Sequence, residues 1–129
     1  MRCLVSILIA LLAAYPALAG EVSIVHASFR QLAPGEWQVD VTLRHADTGW
    51  DHYADAWRVV DEQGEVLGTR TLYHPHVDEQ PFTRGHGMRI PAATRRVRVE
   101  ARDKVHGWSP DRLPVDLDRT AGERYEVSR

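Results

Sequence analysis

Apolar residues recur at every second position in several stretches of this chain, and that pattern limits the folds it can adopt. In EWQVDVTLR (36–44) and VRVEARD (97–103), apolar side chains alternate strictly with polar ones. A period of two places one set of side chains on each face of a β-strand, so both stretches are predicted to be half-buried antiparallel strands. The predicted inward residues are Trp37, Val39, Val41, Leu43, Val97, Val99 and Ala101.

Five further stretches are predicted to be strands: 21–29, 56–61, 65–73, a short one at 88–90, and 113–117. Turn residues separate them, including Gly64, which suits a positive-φ hairpin position. No stretch has the pattern of a capped amphipathic helix. About seven short strands with turn signals between them predict an all-β fold, a single antiparallel β-sandwich of the immunoglobulin-like or fibronectin-III-like type.

Two parts of the sequence carry resemblances. VRVEARDKVHGWSPDRLPVDL (97–117) resembles the last two strands of a fibronectin type III module, with DKVHGWSP as the hairpin loop, and Trp57 falls where such sandwiches often bury a tryptophan. WDHYADAW (50–57) and HPHVDEQPFTR (74–84) resemble stretches of small exported bacterial proteins of unassigned function. The first resemblance implies a fold, and the second implies no activity and no site residues.

Residues 1–19 have the features of a secretory signal peptide, with Arg2, an apolar run and Ala17-Leu18-Ala19 before the expected cleavage point. We therefore predict a periplasmic or secreted protein with a β-sandwich domain at 20–118. Residues 119–129 would form a polar tail or extend the last strand. Gly20 and Glu21 follow the cleavage point, so no cysteine is placed there for lipid attachment, and Cys3, the single cysteine, would leave with the signal.

The charge balance of the mature chain excludes some partners. Without Arg2, 15 basic and 18 acidic residues remain, a net charge of about −3. This balance does not favour binding to nucleic acid or to an anionic bilayer. We expect no membrane insertion after signal cleavage and a monomeric protein.

Six of the seven histidines fall in three predicted loops at 45–55, 74–87 and 105–112. Because successive antiparallel strands reverse direction, these three loops are expected to lie at the same end of the sandwich, as binding loops do in variable domains. Aspartates, Glu79 and several aromatic residues share the loops. This asymmetry is the strongest functional signal in the sequence.

The first interpretation is a site for a divalent transition metal. Imidazole is a common ligand of Zn(II) and Cu(II), and carboxylates can complete the ligand set. His74 and His76 flank Pro75 and could point to the same side of an extended segment, with His86, His52 or His106 as further ligands. Methionine ligation would depend on Met88 alone, so a histidine-rich copper site would suit Cu(II) better than Cu(I).

The second interpretation is a non-enzymatic recognition or accessory module, whose loops are held by hydrogen bonds between histidines and carboxylates. A periplasmic protein partner would bind the aromatic and charged side chains of the loops. The predicted binding surface consists of Trp50, Tyr53, Glu79, Phe82, Arg84 and Trp108.

Catalysis is not predicted. Ser109, His106 and Asp103 could be assembled into a triad on paper, but no nucleophile elbow surrounds the serine. A serine in a hairpin loop is more commonly a turn residue.

Overall fold

The computed structural model describes residues 20–129, and these residues form a β-sandwich of two sheets without a helix. The predicted signal peptide, residues 1–19, lies outside the described residues. No helix in the described part is long and apolar enough to cross a membrane. The prediction of an all-β sandwich is confirmed at this level.

Nine strands make up the two sheets. In chain order they are β1 (Ser23–Ala33), β2 (Glu36–Arg44), β3 (Ala54–Asp61), β4 (Val66–Thr71), β5 (Phe82–Arg89), β6 (Arg96–Asp103), β7 (Gly107–Asp116), β8 (Ala121–Gly122) and β9 (Tyr125–Ser128). The first sheet has the order β5-β2-β1-β9-β8, and the second has the order β4-β3-β6-β7. The paired strands are antiparallel except for β1 and β9, which run parallel.

The core lies between the sheets and is built from the alternating positions. All the inward residues predicted in β2 and β6 are buried, and Trp57 of β3 is fully enclosed with Phe29 and Leu113. Burial of apolar area at roughly 25 cal/mol per Å² is the main favourable contribution to folding. The period-two pattern therefore identified both the strands and the faces that they bury.

Strand β5 begins at Phe82, six residues before the predicted start of the short strand at 88–90. Its sequence is polar and rich in glycine, but it pairs with β2 along its whole length, from Leu43 opposite Phe82 to Glu36 opposite Arg89. Gly85 permits a close approach, since a Cβ there would lie 2.2 Å from an oxygen of Asp40. The partner strand thus specifies β5 where its own side-chain pattern does not.

Strand β7 likewise begins at Gly107, earlier than the predicted start at 113. Arg102 lies opposite Trp108, and Asp103 opposite Gly107. The connection between β6 and β7 is therefore a tight hairpin rather than the long loop expected at 105–112. Gly107 has a φ of 75°, a positive value that suits the turn because glycine adopts it without strain.

The polar segment after residue 118 is part of the sandwich. Strand β9 runs beside β1, with Ala27 opposite Tyr125 and Arg30 opposite Ser128. Tyr125 and Val127 are buried in the common core. This arrangement differs from both expected alternatives, a polar tail and an extension of the last predicted strand. That strand is part of β7 in the second sheet, whereas β9 joins the first sheet.

Three connections meet at one end of the sandwich, as the reversal of strand direction predicts. They are the β2–β3 connection (45–53), the β4–β5 connection (72–81) and the β6–β7 hairpin (104–106). We call this end the loop pole. It carries most of the histidines and buries three of its polar side chains: His45, Asp47 and His76.

Candidate metal centre

Hydrogen bonds tie the three connections of the loop pole together. The backbone N–H of His45 donates to Oε1 of Gln80 at 3.0 Å, and that of His76 donates to Oδ2 of Asp47 at 2.7 Å. The N–H of Lys104 donates to the carbonyl of Tyr53 at 3.1 Å. Each connection is therefore anchored to at least one other, which fixes the positions of the side chains they carry.

Asp47 orients the imidazole of His45. Both side chains are fully buried, and Nδ1 of His45 donates to Oδ1 of Asp47. The same carboxylate accepts the backbone N–H of Ala54 at 3.0 Å as well as that of His76. Since Nδ1 carries the proton shared with Asp47, Nε2 is the atom that His45 directs away from the carboxylate.

Nε2 of His45 faces the carbonyl oxygen of Gly20 at 2.7 Å. Both ring nitrogens therefore face oxygen atoms that can only accept hydrogen bonds. A metal ion bound at Nε2 would lie on the side of the ring away from Asp47. The Asp47–His45 pair has the arrangement by which proteins commonly orient a metal-binding imidazole through its other nitrogen.

His52 and Asp103 lie next to this imidazole. Nε2 of His52 is 3.1 Å from Oδ1 of Asp103 and 3.1 Å from the carbonyl oxygen of Gly20. The rings of His45 and His52 meet edge to face, with centroids 4.8 Å apart. Asp103 is fully buried at the end of β6, whereas His52 is partly exposed.

His106 contacts the cluster from the β6–β7 hairpin. Its Nδ1 lies 3.1 and 3.2 Å from the two carboxylate oxygens of Asp103, and its ring centroid is 5.2 Å from that of His52. Burial acts to raise the pKa of Asp103, but the backbone N–H groups of His106 and Val105 and the ring of His106 outweigh it. The pKa of Asp103 is therefore lowered, and the carboxylate is held in its ionised form.

These side chains form a compact set of ligand types. Among the described residues, His45, His52 and Asp103 form the one group of three whose candidate ligand atoms all lie within 4.8 Å of one another. Imidazole nitrogen with carboxylate oxygen is a ligand set used for Zn(II) and, in nitrogen-rich form, for Cu(II). His106 adjoins the group through Asp103. We call His45, His52, Asp103 and His106 the histidine cluster.

The predicted chelating pair, His74 and His76, is placed differently. The two rings do face each other across Pro75, with centroids 4.5 Å apart. However, Nη2 of Arg84 donates to Nε2 of His76 at 2.8 Å, which occupies the lone pair a metal would need. His74 is exposed, and its Nδ1 faces the carbonyl of Pro75. Neither residue joins the histidine cluster.

His76 is better described as a buried structural residue. Its ring stacks on Phe82, with centroids 4.0 Å apart and planes inclined by 8°. Burial first, and then the charge of Arg84, lower its pKa, so the neutral form is favoured. The proton then lies on Nδ1, which is buried and has no hydrogen-bond partner.

His86 was expected in the second loop, but it lies within β5 opposite Val39. Its half-buried ring meets Trp57 edge to face, with centroids 6.4 Å apart. The early start of β5 is the reason, because it removes residues 82–87 from the loop. His86 is therefore separate from the histidine cluster, whereas His52 and His106 of the predicted set belong to it.

The predicted binding surface is only partly exposed. Trp50 is 63% exposed and meets Tyr53 edge to face, and Glu79 pairs with Arg84 at 3.5 Å. Phe82, at 2% exposure, cannot contact a partner.

Trp108 also departs from the predicted surface. It lies in β7, and its ring is covered by the guanidinium of Arg58 at 3.6 Å from the ring centroid. It was expected in a long loop, and the early start of β7 places it on the strand instead.

Ser109 is unsuited to nucleophilic catalysis. It is buried, and its hydroxyl donates to the backbone carbonyl of Val22 at 2.7 Å. His106 and Asp103 contact each other but not this hydroxyl. The serine fastens the start of the chain to β7.

Two members of the histidine cluster, His45 and Asp103, were not predicted to be metal ligands from the sequence. His45 follows a strand directly and is separated from Asp47 by one residue, a spacing that could have indicated a carboxylate-supported ligand. Asp103 ends β6, and only its position beside the His106 hairpin could have suggested its role. The density of histidines in 74–86 drew the prediction to that segment instead.

The chain is 35% identical over 101 residues to a protein of Halomicrobium mukohataei described as a "Putative lipoprotein", and the match covers 78% of this chain and 50% of that protein. The chain thus corresponds to about half the length of this relative. No protein-family model matches the chain, and no solved structure matches it.

Proposed function

We propose that this protein binds one divalent transition-metal ion, Zn(II) or Cu(II), at the loop pole. His45 and His52 would be the principal ligands, with Asp103 or His106 completing the set. The observation that carries the proposal is the convergence of His45, His52 and Asp103 within 4.8 Å, at a point where three separate connections meet. The role is binding rather than catalysis.

The support given to His45 favours ligation over a purely structural role. Its Nδ1 is fixed by a buried carboxylate, and its Nε2 points toward His52 and the carbonyl of Gly20. Two imidazoles and a carboxylate that converge on one point suit a divalent cation, because the ionised Asp103 supplies negative charge beside the two nitrogen ligands.

Calorimetric titration with ZnCl₂ and CuCl₂ tests the proposal. We expect a stoichiometry of one for at least one of the metals, and a loss of affinity of at least about tenfold in His52→Ala, equivalent to about 1.4 kcal/mol. His52 is the best choice for substitution because it is partly exposed, so its loss disturbs the core less than that of His45.

His74→Ala is the matched control, since it removes an exposed histidine of the same pole that lies outside the cluster. This variant should bind as tightly as the wild type. Equal losses in both variants, or no binding by the wild type, would contradict the proposal.

A second candidate function, recognition of a protein partner, is favoured by a separate observation. The loop pole exposes Trp50, Tyr73, Val77 and Val105, which are four of the six large apolar residues exposed in the described chain. Aromatic and apolar side chains gathered on one surface are typical of interaction sites. In this case the histidines would serve only to hold the loops.

Chelation separates the two candidates. A ligand that binds only the folded state at 100 times its dissociation constant stabilises that state by about 2.7 kcal/mol. Metal binding therefore predicts that the melting temperature rises with added metal and falls again with chelator. If the histidines only hold the loops, the chelator changes nothing, whereas His45→Ala lowers the melting temperature of the metal-free protein.

Export and fold type complete the proposal. We infer an exported protein from the predicted signal peptide, and the description of the haloarchaeal relative as a lipoprotein agrees with export. The fibronectin-III-like type is supported by the division of the first seven strands, with β1, β2 and β5 in one sheet and β3, β4, β6 and β7 in the other, while β8 and β9 are additional strands of the first sheet.

A further inference from the structure

Gly20, the first described residue, lies inside the histidine cluster. Its carbonyl oxygen is 2.7 Å from Nε2 of His45 and 3.1 Å from Nε2 of His52. A Cβ on Gly20 would lie 2.4 Å from Cε1 of His106 and 2.9 Å from Cε1 of His52. The backbone of residue 20 therefore contacts two imidazoles, and a side chain there would meet the third, so only glycine fits without displacing a ring.

The segment after Gly20 holds it in this position. The hydroxyl of Ser109 donates to the carbonyl of Val22, and the N–H of Ile24 donates to Oδ2 of Asp111 at 2.8 Å. Val22 and Ile24 are buried in the core. The chain thus reaches the cluster along a fixed path rather than by chance contact of a loose end.

Cleavage at the predicted signal-peptide site would make Gly20 the first residue of the mature protein. The amide nitrogen of Gly20, which is one bond from the Cα packed against the rings, would then become a free amine. An amine and a carbonyl oxygen on the same glycine can bind one metal ion together in a five-membered chelate ring. The nitrogen of a peptide bond is a poor ligand in its neutral form, because its lone pair is delocalised into the carbonyl group.

We propose that the α-amine of Gly20, released by signal-peptide cleavage, is a ligand of the metal at the histidine cluster. This inference rests on the proposed function and adds that the site is completed only by processing. The amine and carbonyl of Gly20 contribute one nitrogen and one oxygen, and His45 and His52 contribute two nitrogens. Nitrogen and oxygen ligands in a tetragonal set are typical of Cu(II), so the site favours Cu(II) over Zn(II).

The test compares two forms of the protein that share residues 20–129. The processed form is exported with its own residues 1–19, and intact mass establishes that it begins at Gly20. The extended form retains Leu18-Ala19, so that Gly20 remains in a peptide bond. Both forms are titrated with CuCl₂ by calorimetry, with glycine as a competitor, and Cu(II) coordination is followed by electron paramagnetic resonance.

We expect the processed form to bind Cu(II) at least tenfold more tightly and to give a spectrum with more nitrogen ligands. An amine ligand must lose a proton, and a free α-amino group has a pKa of about 7.7–8.0. Below about pH 8 the affinity of the processed form should therefore rise with pH more steeply than that of the extended form, and above it this difference in slope should disappear. Equal affinities and equal pH dependence would overturn the inference.

The His52→Ala substitution, made in both forms, distinguishes a failure of this inference from a failure of the proposed function. If both forms bind equally and both lose binding with His52→Ala, the metal site exists but the amine is not a ligand. If neither form binds, the proposed function fails as well. Mass spectrometry showing a different first residue would overturn the inference directly.

The extra residues could themselves disturb the pole, and a second variant addresses this. A form that begins at Gly20 but is acetylated on its α-amine removes the lone pair and adds only a small group. It should bind Cu(II) as weakly as the extended form. If it binds as tightly as the processed form, the amine is not a ligand.

Discussion

At the scale of single residues, Asp47 shows how one buried side chain can serve both structure and chemistry. It accepts hydrogen bonds from the His45 ring and from the backbone N–H groups of Ala54 and His76. A carboxylate with three donors is fully satisfied although it is removed from water. Asp47 therefore supports both His45 of the histidine cluster and the loop framework, and a change there should affect both.

We predict that Asp47→Asn weakens metal binding by about 10–100-fold, the usual effect of losing a carboxylate behind a ligating histidine. It should also lower the free energy of unfolding of the metal-free protein by about 1.5–3 kcal/mol, because bonds to a charged acceptor are lost. Metal titration and urea unfolding measure the two effects. Asp51→Asn, an exposed acid of the same connection, is the control and should change neither.

His76 gives a prediction for the pH dependence of stability. Its pKa in the folded state is lowered below the ordinary value of 6.5 by burial and by Arg84. Below pH 6.5 the unfolded chain therefore binds more protons than the folded one, so the free energy of unfolding falls as the pH falls through this range. We expect the melting temperature to fall between about pH 7 and pH 5, and to fall less in His76→Phe.

His74→Phe is the control for this measurement, because it changes the exposed neighbouring histidine and leaves His76 in place. Its melting temperature should follow that of the wild type closely between the same pH values, because His74 lowers the pKa of His76 less than burial and Arg84 do. If the His76→Phe variant keeps the wild-type slope, the lowered pKa of His76 is not the cause of the acid sensitivity.

At the scale of elements, the outer face of the second sheet is held together by one buried acid. Glu100 of β6 is 3% exposed and is contacted by Arg58 at 2.9 Å, Arg98 at 3.1 Å and Arg112 at 3.3 Å. These arginines come from β3, β6 and β7, so the carboxylate links three neighbouring strands. The alternation within β6 places Arg98 and Glu100 on the same face, but a local pattern cannot show that Arg58 and Arg112 of the neighbouring strands contact the same acid.

We predict that Glu100→Gln lowers the free energy of unfolding by about 2 kcal/mol. The loss should be smaller than for a fully buried ion pair, where it is about 3–5 kcal/mol, because the three arginines are partly exposed and can be hydrated. Urea denaturation measures the change. Arg112→Gln, which removes one exposed partner, should cost under about 1 kcal/mol; equal losses would contradict the central role of Glu100.

The last strand gives a second prediction at this scale. Val127 of β9 is buried in the core, whereas the adjacent Glu126 is exposed. Val127→Ala removes two methyl groups at about 0.8 kcal/mol each, so we expect a loss of about 1.5 kcal/mol. Glu126→Ala should be nearly neutral. Equal, small effects would mean that β9 is not packed as described.

Whether the sequence predicts a strand depends on what determines that strand: its own side-chain pattern or its pairing with a neighbouring strand. Strands β2 and β6 bury one face, so their alternation was sufficient to predict them. Strand β5 contains Gly85 and Gly87 and is specified by pairing with β2, which a local pattern cannot show. The misplacement of His86 follows from this, because a residue assigned to a loop belonged to an edge strand.

At the scale of the whole molecule, the distribution of side chains is strongly unequal between the two ends. Chain direction alone predicted that three connections would share one end of the sandwich. Most of the histidines lie at that end, as this prediction implied. Which histidines meet could not be predicted, because contacts such as that of Arg84 with His76 depend on the exact path of each connection. The ligand candidates are consequently His45 and His52 rather than His74 and His76.

The parallel pairing of β9 with β1 has a consequence for how the protein is made. Strand β1 pairs with β2 on one side soon after both are synthesised, but its other side is completed only by residues 125–128. The first sheet therefore keeps an open edge at β1 until this distant segment is in place. Contacts between distant parts of a chain form slowly, so we expect the closing of this edge to be a late step of folding.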